Sequence, residues 1–250
     1  QHAAVWHNLN LPNAYNHPDE KVLLRRSNDA LETLSNRLKS SSLLVMTFGT
    51  AWQYEPVAGG AVVANCHKLP AANFSKSHTA LDVLIENGMQ VLRELHAKNP
   101  KCEVVLTVSP VRHWKDGVVE NSRSKSTLLL LCEALEKALP FVHYFPSYEL
   151  VLDDLRDYRY YKKDLLHPNE LAIDYIWEKV QESMLSDEAK NVMEKLVQLQ
   201  RSLSHRPLQP ESEAHVKFQK QLLHRLLDFQ YAHPEIDMTN EVEHVKGISL

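Results

Sequence analysis

Asp164 and His167 stand three residues apart in "YYKKDLLHPNELAIDYIWEKV", a stretch that becomes an amphipathic helix just beyond them. An offset of this size within a turn lets a carboxylate accept a hydrogen bond from an imidazole. The bond fixes the ring's tautomer and favours its protonated form, so the other nitrogen can take a proton from a hydroxyl nucleophile. The same two residues could instead cap the start of the helix, where acids and short polar groups are favoured on their own account.

Two other segments carry chemistry. "VANCHK" (residues 63–68) offers an amide, a thiol, an imidazole and an ammonium in succession. Asn65 could donate to a developing oxyanion. Cys66 beside His67 invites a cysteine nucleophile, but neighbours along an extended chain point opposite ways, and a buried structural thiol is the expectation. "SPVRHW" (residues 109–114) ends an apolar run with Arg112 and His113. Arg112 would either clamp a carboxylate or phosphate or pair with the acids of "DDLRD". Ser109 lacks the glycine-flanked turn of a nucleophile elbow. The fourteen histidines include no HExxH pattern, so neither a metal centre nor a cofactor is expected. "RDYRYYKKD" reads as a solvated loop with its tyrosine rings packed inward.

These residues need a scaffold. After an irregular lead-in (residues 1–18), helical periodicity covers 19–39, and "SSLLVMTFGT" has the composition of a buried parallel strand. A long excursion with little periodicity follows, of the kind that is usually functional. A helix over 77–98, a strand in "CEVVLTVSPVRHW", a helix over 121–139, a strand in "FVHYFPSYEL" and a helix over 168–184 complete the pattern, with Pro168 suited to a first helical position. Alternating strands and helices predict an α/β fold with a parallel sheet. Helices over 187–203 and 211–231, joined by "SHRPLQP", predict a C-terminal helical hairpin, dividing the chain into an α/β part (1–185) and a helical extension (186–250) packed on it. Open parallel sheets bind ligands past the carboxyl ends of their strands, where all the segments above would converge.

Composition sets bounds. With 250 residues, 44% hydrophobic and 24% charged, the chain can bury a full core. A net charge of −4 gives no reason to expect nucleic acid as a partner, and no apolar run is long enough for a membrane span. Three cysteines without a CxxC pair point to a reducing compartment, the cytoplasm. The chain starts at Gln1 with no basic-then-apolar leader, as a processed product or a fragment would. Oligomeric state is left open.

"TFGTAW", "VANCHKLP", "TVSPVRHWKDG", "YFPSYEL", "LRDYRYY" and "DLLHPNELA" occur in an order that resembles the GSCFA family, a branch of the SGNH/GDSL hydrolase superfamily, and "HRPLQPESEA" resembles its C-terminal part. The resemblance implies a three-layer α/β/α sandwich with flavodoxin-like strand order and a serine nucleophile after the first strand. Asp164 and His167 match the superfamily's DxxH block. Gly49 falls where its Gly-x-Asn block should be, but Gly-Thr-Ala-Trp stands there, leaving Asn65 as the substitute oxyanion donor. The Gly-Ser-Cys-Phe-Ala motif is absent, since none of the six glycines precedes a serine. The first strand would then be missing from this chain, or catalysis lost.

On this resemblance the parent protein is a serine esterase or acylesterase acting on a glycan or small-molecule ester. His167 and Asp164 are its acid–base pair, Gly49 and Asn65 its oxyanion donors, and Arg112, His113, His67 and Trp52 its substrate contacts. The alternative is a non-catalytic module that keeps the cleft for a glycan or acylated ligand, or for assembly.

Overall fold

The structure, a computed structural model, describes residues 4–205, 207 and 212–248. The chain divides into two compact units, Gln1–Ile176 and Trp177–Leu250.

The first unit opens with helix α1 (Glu20–Ser40), which starts where Asp19 accepts the N–H groups of Lys21 and Val22. Strands β1 (Leu43–Phe48), β4 (Glu103–Val108) and β5 (Val142–Tyr144) form a parallel sheet in the order β1-β4-β5. Val45 lies opposite Val105, and Val104 opposite Val142. Helices α2 (Leu81–Lys98) and α3 (Gly117–Ala138) supply Leu92, Leu128, Leu131 and Leu135 to a core with Val104, Leu106 and Val108 of β4. Gly88 brings α2 close: a Cβ there would lie 3.1 Å from both Leu135 methyls. This mixed α/β architecture follows the pattern of the sequence and is consistent with a three-layer α/β/α sandwich.

Three features depart from the sequence pattern. The excursion after β1 contains an antiparallel hairpin, β2 (Trp52–Pro56) with β3 (Phe74–His78), pairing Trp52 with His78 and Pro56 with Phe74. Its strands are polar and far apart in sequence, so no two-residue turn or clear alternation announces them. The residues at 77 and 78 end β3 instead of opening the next helix, and α2 begins at Leu81. The apolar composition of β1 predicts burial on both faces, yet it is an edge strand whose Leu43 and Val45 lie open.

A short turn α4 (Ser147–Glu149) runs into a wider one, Leu150–Asp154, where the Leu155 N–H bonds to the Leu150 carbonyl. Val151, Leu155 and Ala172 form a small second core with Tyr160 and Tyr161 around them. Helix α5 (Glu170–Met184) starts two residues after Pro168, because Asn169 accepts the Ala172 N–H and caps it.

In the second unit, α6 (Asp187–Leu203), α7 (Glu213–Ala232) and α8 (Thr239–Ile248) bury Leu199, Leu222, Leu226, Val242 and Val245 together. The expected hairpin gains a third helix, ten residues long and too short to show a full apolar stripe. Residues 206 and 208–211, from the predicted connection and the expected start of the second helix, lie outside the described residues, as does part of "HRPLQPESEA". No helix among the described residues is long and apolar enough to cross a membrane.

One interaction organises the carboxyl rim of the sheet. Lys125, 1% exposed on α3, donates to the carbonyls of Gly49 and Ser109 at 2.6 Å each, where the ends of β1 and β4 part. Burial brings its ammonium down to about 8. Between that value and the ordinary one near 10.5, the unfolded lysine still holds a proton that the folded one has released, so folding gains stability as pH rises through this window. Urea unfolding should show the wild type gaining on Lys125→Met from pH 8 to 10.5. Lys125→Ala, which empties volume and orphans two carbonyls, should cost about 3 kcal/mol at neutral pH.

Candidate active site

The loop 162–168 is closed at its base by a bridge between Tyr161 and Pro168 and by the Lys162 N–H on the His167 carbonyl at 2.7 Å. At its tip Leu165 takes a left-handed backbone (φ 57°), unusual for a branched side chain. That turn brings Asp164 back over the loop. Its Oδ1 accepts the N–H groups of Leu166 (2.9 Å) and His167 (3.0 Å), and its Oδ2 meets His167 Nδ1 at 2.6 Å. Neither residue caps α5, a task that falls to Asn169, whose Nδ2 also ties the Arg159 carbonyl at 2.6 Å. The helix-cap alternative for the pair is therefore excluded, and the hydrogen-bonded Asp–His arrangement remains. With Oδ2 as acceptor, Nδ1 carries the proton, and Nε2 has no partner among the described residues. Both side chains are about half exposed.

The rim beside β1 and β4 is held by one turn of α3. Ser124 Oγ accepts the Ala51 N–H (2.7 Å) and pairs with Thr50 Oγ1 (3.1 Å), while Asn121 Oδ1 accepts the His113 N–H (2.9 Å). His113 Nε2 consequently lies over Gly49, 3.7 Å from where a Cβ would stand. Sequence reasoning missed Lys125, Ser124 and Asn121. Their signal is the apolar stripe of α3 (Leu128, Cys132, Leu135), which extrapolates upstream at helical spacing onto three polar residues that are all buried.

Arg112 follows β4 and lines a cavity of about 230 Å³ with Arg156, Tyr158 and Tyr161. The Arg112 loop and the segment leading to the dyad thus share one wall. Arg156, Tyr158 and Tyr161 come from the run expected to be a solvated loop; its tyrosines divide, with Tyr160 and Tyr161 packed on the small core and Tyr158 68% exposed.

The remaining candidates sit elsewhere. His67 is buried, with Nδ1 on the Asn16 amide (3.0 Å) and Nε2 on the Asn8 carbonyl (2.8 Å), so neither ring nitrogen is free for a ligand. Asn65 accepts the His67 N–H through Oδ1 at 2.8 Å, and its backbone N–H bonds to Leu9. The Cys66 thiol is pushed up by burial, the opposite of an activated nucleophile. Trp52 lies edge-on to His78 with the Lys76 ammonium 4.5 Å over its ring, and Lys76 pairs with Asp116. No hydrogen bond, ion pair or ring contact among the described residues joins Asp164 or His167 to Gly49, Asn65, His67 or Trp52.

A model of the GSCFA family matches residues 1–180. The chain belongs to the GSCFA family. The model of the GSCFA domain protein, C-terminal domain, matches residues 196–247, within the second unit. No curated protein matches the chain. In this GSCFA chain the DLLH loop, the Gly49 turn and the Arg112 loop all fall within the matched family region.

Two backbone N–H bonds, from His167 and Leu166, do most to hold the Asp164 carboxyl at about 2, with the imidazole bond adding to them. Because this value is depressed, the stability it contributes is present above the ordinary value near 3.8 and is lost as pH falls from there toward 2. Carboxyl-detected NMR should place the midpoint near 2 in the wild type. His167→Ala should leave it clearly below the ordinary value, because the backbone donors survive the substitution.

Proposed function

We propose that this GSCFA chain carries the acid–base half of a serine hydrolase that cleaves an ester, as SGNH enzymes do. The observation that carries the reading is the 2.6 Å contact between Asp164 Oδ2 and His167 Nδ1, in a strained turn that caps no helix, with Nε2 unpartnered among the described residues.

In this scheme a serine hydroxyl attacks the ester carbonyl and passes its proton to His167 Nε2. Asp164 holds the ring and stabilises the imidazolium. Collapse of the tetrahedral intermediate breaks the bond to the alcohol, which leaves with the proton from His167. Water then attacks the acyl-serine, again giving its proton to His167, which returns it to the serine as the acid departs. The Gly49 N–H is assigned to the oxyanion, and Asn65, held in the His67 loop by its bonds to His67 and Leu9, is left out of the scheme. Arg112 and His113 hold the substrate. No hydroxyl or thiol among the described residues bonds to His167 Nε2, and the serine is assigned to a segment outside these 250 residues.

A fluorophosphonate probe tests the reading on two proteins, this chain and a form extended upstream to the natural start. The extended form should label and hydrolyse a simple aryl ester, this chain should do neither, and His167→Ala in the extended form should lower the rate on the order of 10²-fold or more. Labelling of neither would overturn the hydrolase reading in favour of a ligand-binding module.

A further inference from the structure

The two arginines of the cavity carry charge without an ion-pair partner among the described residues, although Arg112 stands near Tyr148 and acts on it electrostatically. Arg112, half-buried, and Arg156 make no hydrogen bond or ion pair among the described residues, although acids surround them in sequence. Two of those acids are committed elsewhere, and the third, Asp153, forms no ion pair with either arginine among the described residues, although it and Arg112 both act on Tyr148. Asp154 accepts the Tyr175 hydroxyl at 2.8 Å. Asp157, itself on the cavity wall, accepts the Arg159 N–H at 2.8 Å and faces the Arg159 Nε at 3.9 Å. The structural role open to Arg112, pairing with an acid of "DDLRD", is therefore not taken up.

Two guanidiniums on one small cavity repel each other, and an oxyanion between them turns that repulsion into two charge-assisted forks. The rest of the wall suits the body of a small ligand. Val151, 1% exposed, and Leu152 provide an apolar floor, while Tyr158 and Tyr161 present phenols that can bond to hydroxyls. The π-type turn Leu150–Asp154 widens the chain here, a local irregularity that places Val151 and Leu152 on the wall and Arg156 beyond them.

We propose that the cavity lined by Arg112, Arg156, Tyr158 and Tyr161 is an anion-binding subsite. It takes a carboxylate, phosphate or sulfate group carried by a small or sugar-like ligand. Tyr161 pairs with Pro168, the residue after His167, so the subsite adjoins the dyad loop. The inference deepens the hydrolase reading and rests on it in one respect: the anion is the part of the ester substrate held away from the scissile bond.

The test is binding, measured apart from hydrolysis. Amide NMR titrations of the full chain would use inorganic phosphate, glucuronate and, as the neutral control, glucose. At least one anion should bind with shifts confined to the loops at 110–113 and 151–161, and glucose should not. Tighter phosphate binding would assign a phosphate- or sulfate-bearing ligand, and tighter glucuronate binding a sugar carboxylate. Arg112→Gln and Arg156→Gln should each weaken the preferred anion about tenfold. Arg123→Gln, at an exposed pair with Glu120 on α3, should leave it unchanged. Arg112→Lys, which keeps the charge but loses the fork, should weaken it less than Arg112→Gln. If Arg112→Gln does not fold, the exposed Arg156→Gln decides alone. Absence of anion binding, or equal binding by wild type and Arg156→Gln, overturns the subsite. Anion binding by a protein whose extended form resists the fluorophosphonate would sink the hydrolase reading while leaving the subsite standing.

Discussion

The rim of the sheet depends on a buried ammonium. Parallel strands part at their carboxyl ends, and each freed carbonyl must find a donor or pay desolvation. Lys125 answers for two of them, Gly49 and Ser109, from a position almost wholly out of water. Its lowered pKa records the net cost of holding charge there, which the short bonds reduce but do not cancel. Ser124 and Asn121 extend the same device along one turn of α3, to Ala51 and to His113. A single helical face thereby fixes the loops after β1 and β4 relative to each other. The chemistry-bearing residues on those loops, Gly49, Arg112 and His113, inherit their placement from it.

The candidate site residues are held in two styles of construction. Near β1 and β4, side chains are positioned by buried polar contacts with the core behind them. Around the dyad, the order is local: a backbone bridge, a left-handed residue and an asparagine that both caps α5 and clips the Arg159 carbonyl. The small core of Val151, Leu155 and Ala172 supports this segment from below. The cavity with Arg112 and Arg156 lies where the two styles meet, with one arginine from each.

Much of the scaffold was legible because periodicity is strong where burial is strong. β4, with five of its six residues buried, and α3 stand close to where the apolar pattern puts them. The hairpin was not legible, since polar strands joined by a long loop leave no alternating trace. Asp164 and His167 could be named from their spacing, but only Asn169's place as the cap separates a dyad from a helix start. His67 shows the opposite case. Its neighbours suggested a ligand contact, whereas both nitrogens are spent on Asn8 and Asn16, residues some fifty positions away that no local pattern connects to it. The polar comb of α3 was hidden by type: Asn, Ser and Lys on a helix read as a solvated face until the phase of the apolar stripe downstream is followed back to them.

Preorganisation is the last step. A histidine can serve as a base only if its far nitrogen is aimed and its near nitrogen's proton is fixed before substrate arrives. In an exposed loop, an acceptor that depended on the imidazole alone would wander with it. Asp164 avoids this by anchoring Oδ1 on two backbone N–H groups and offering Oδ2 to the ring, so the acceptor is in place independently of the imidazole it orients. The strain of Leu165 is then intelligible, because a relaxed extended residue there would turn the following N–H groups away from the carboxylate. The fold has put backbone strain into fixing a carboxylate that no helix uses, and an imidazole is the group that profits.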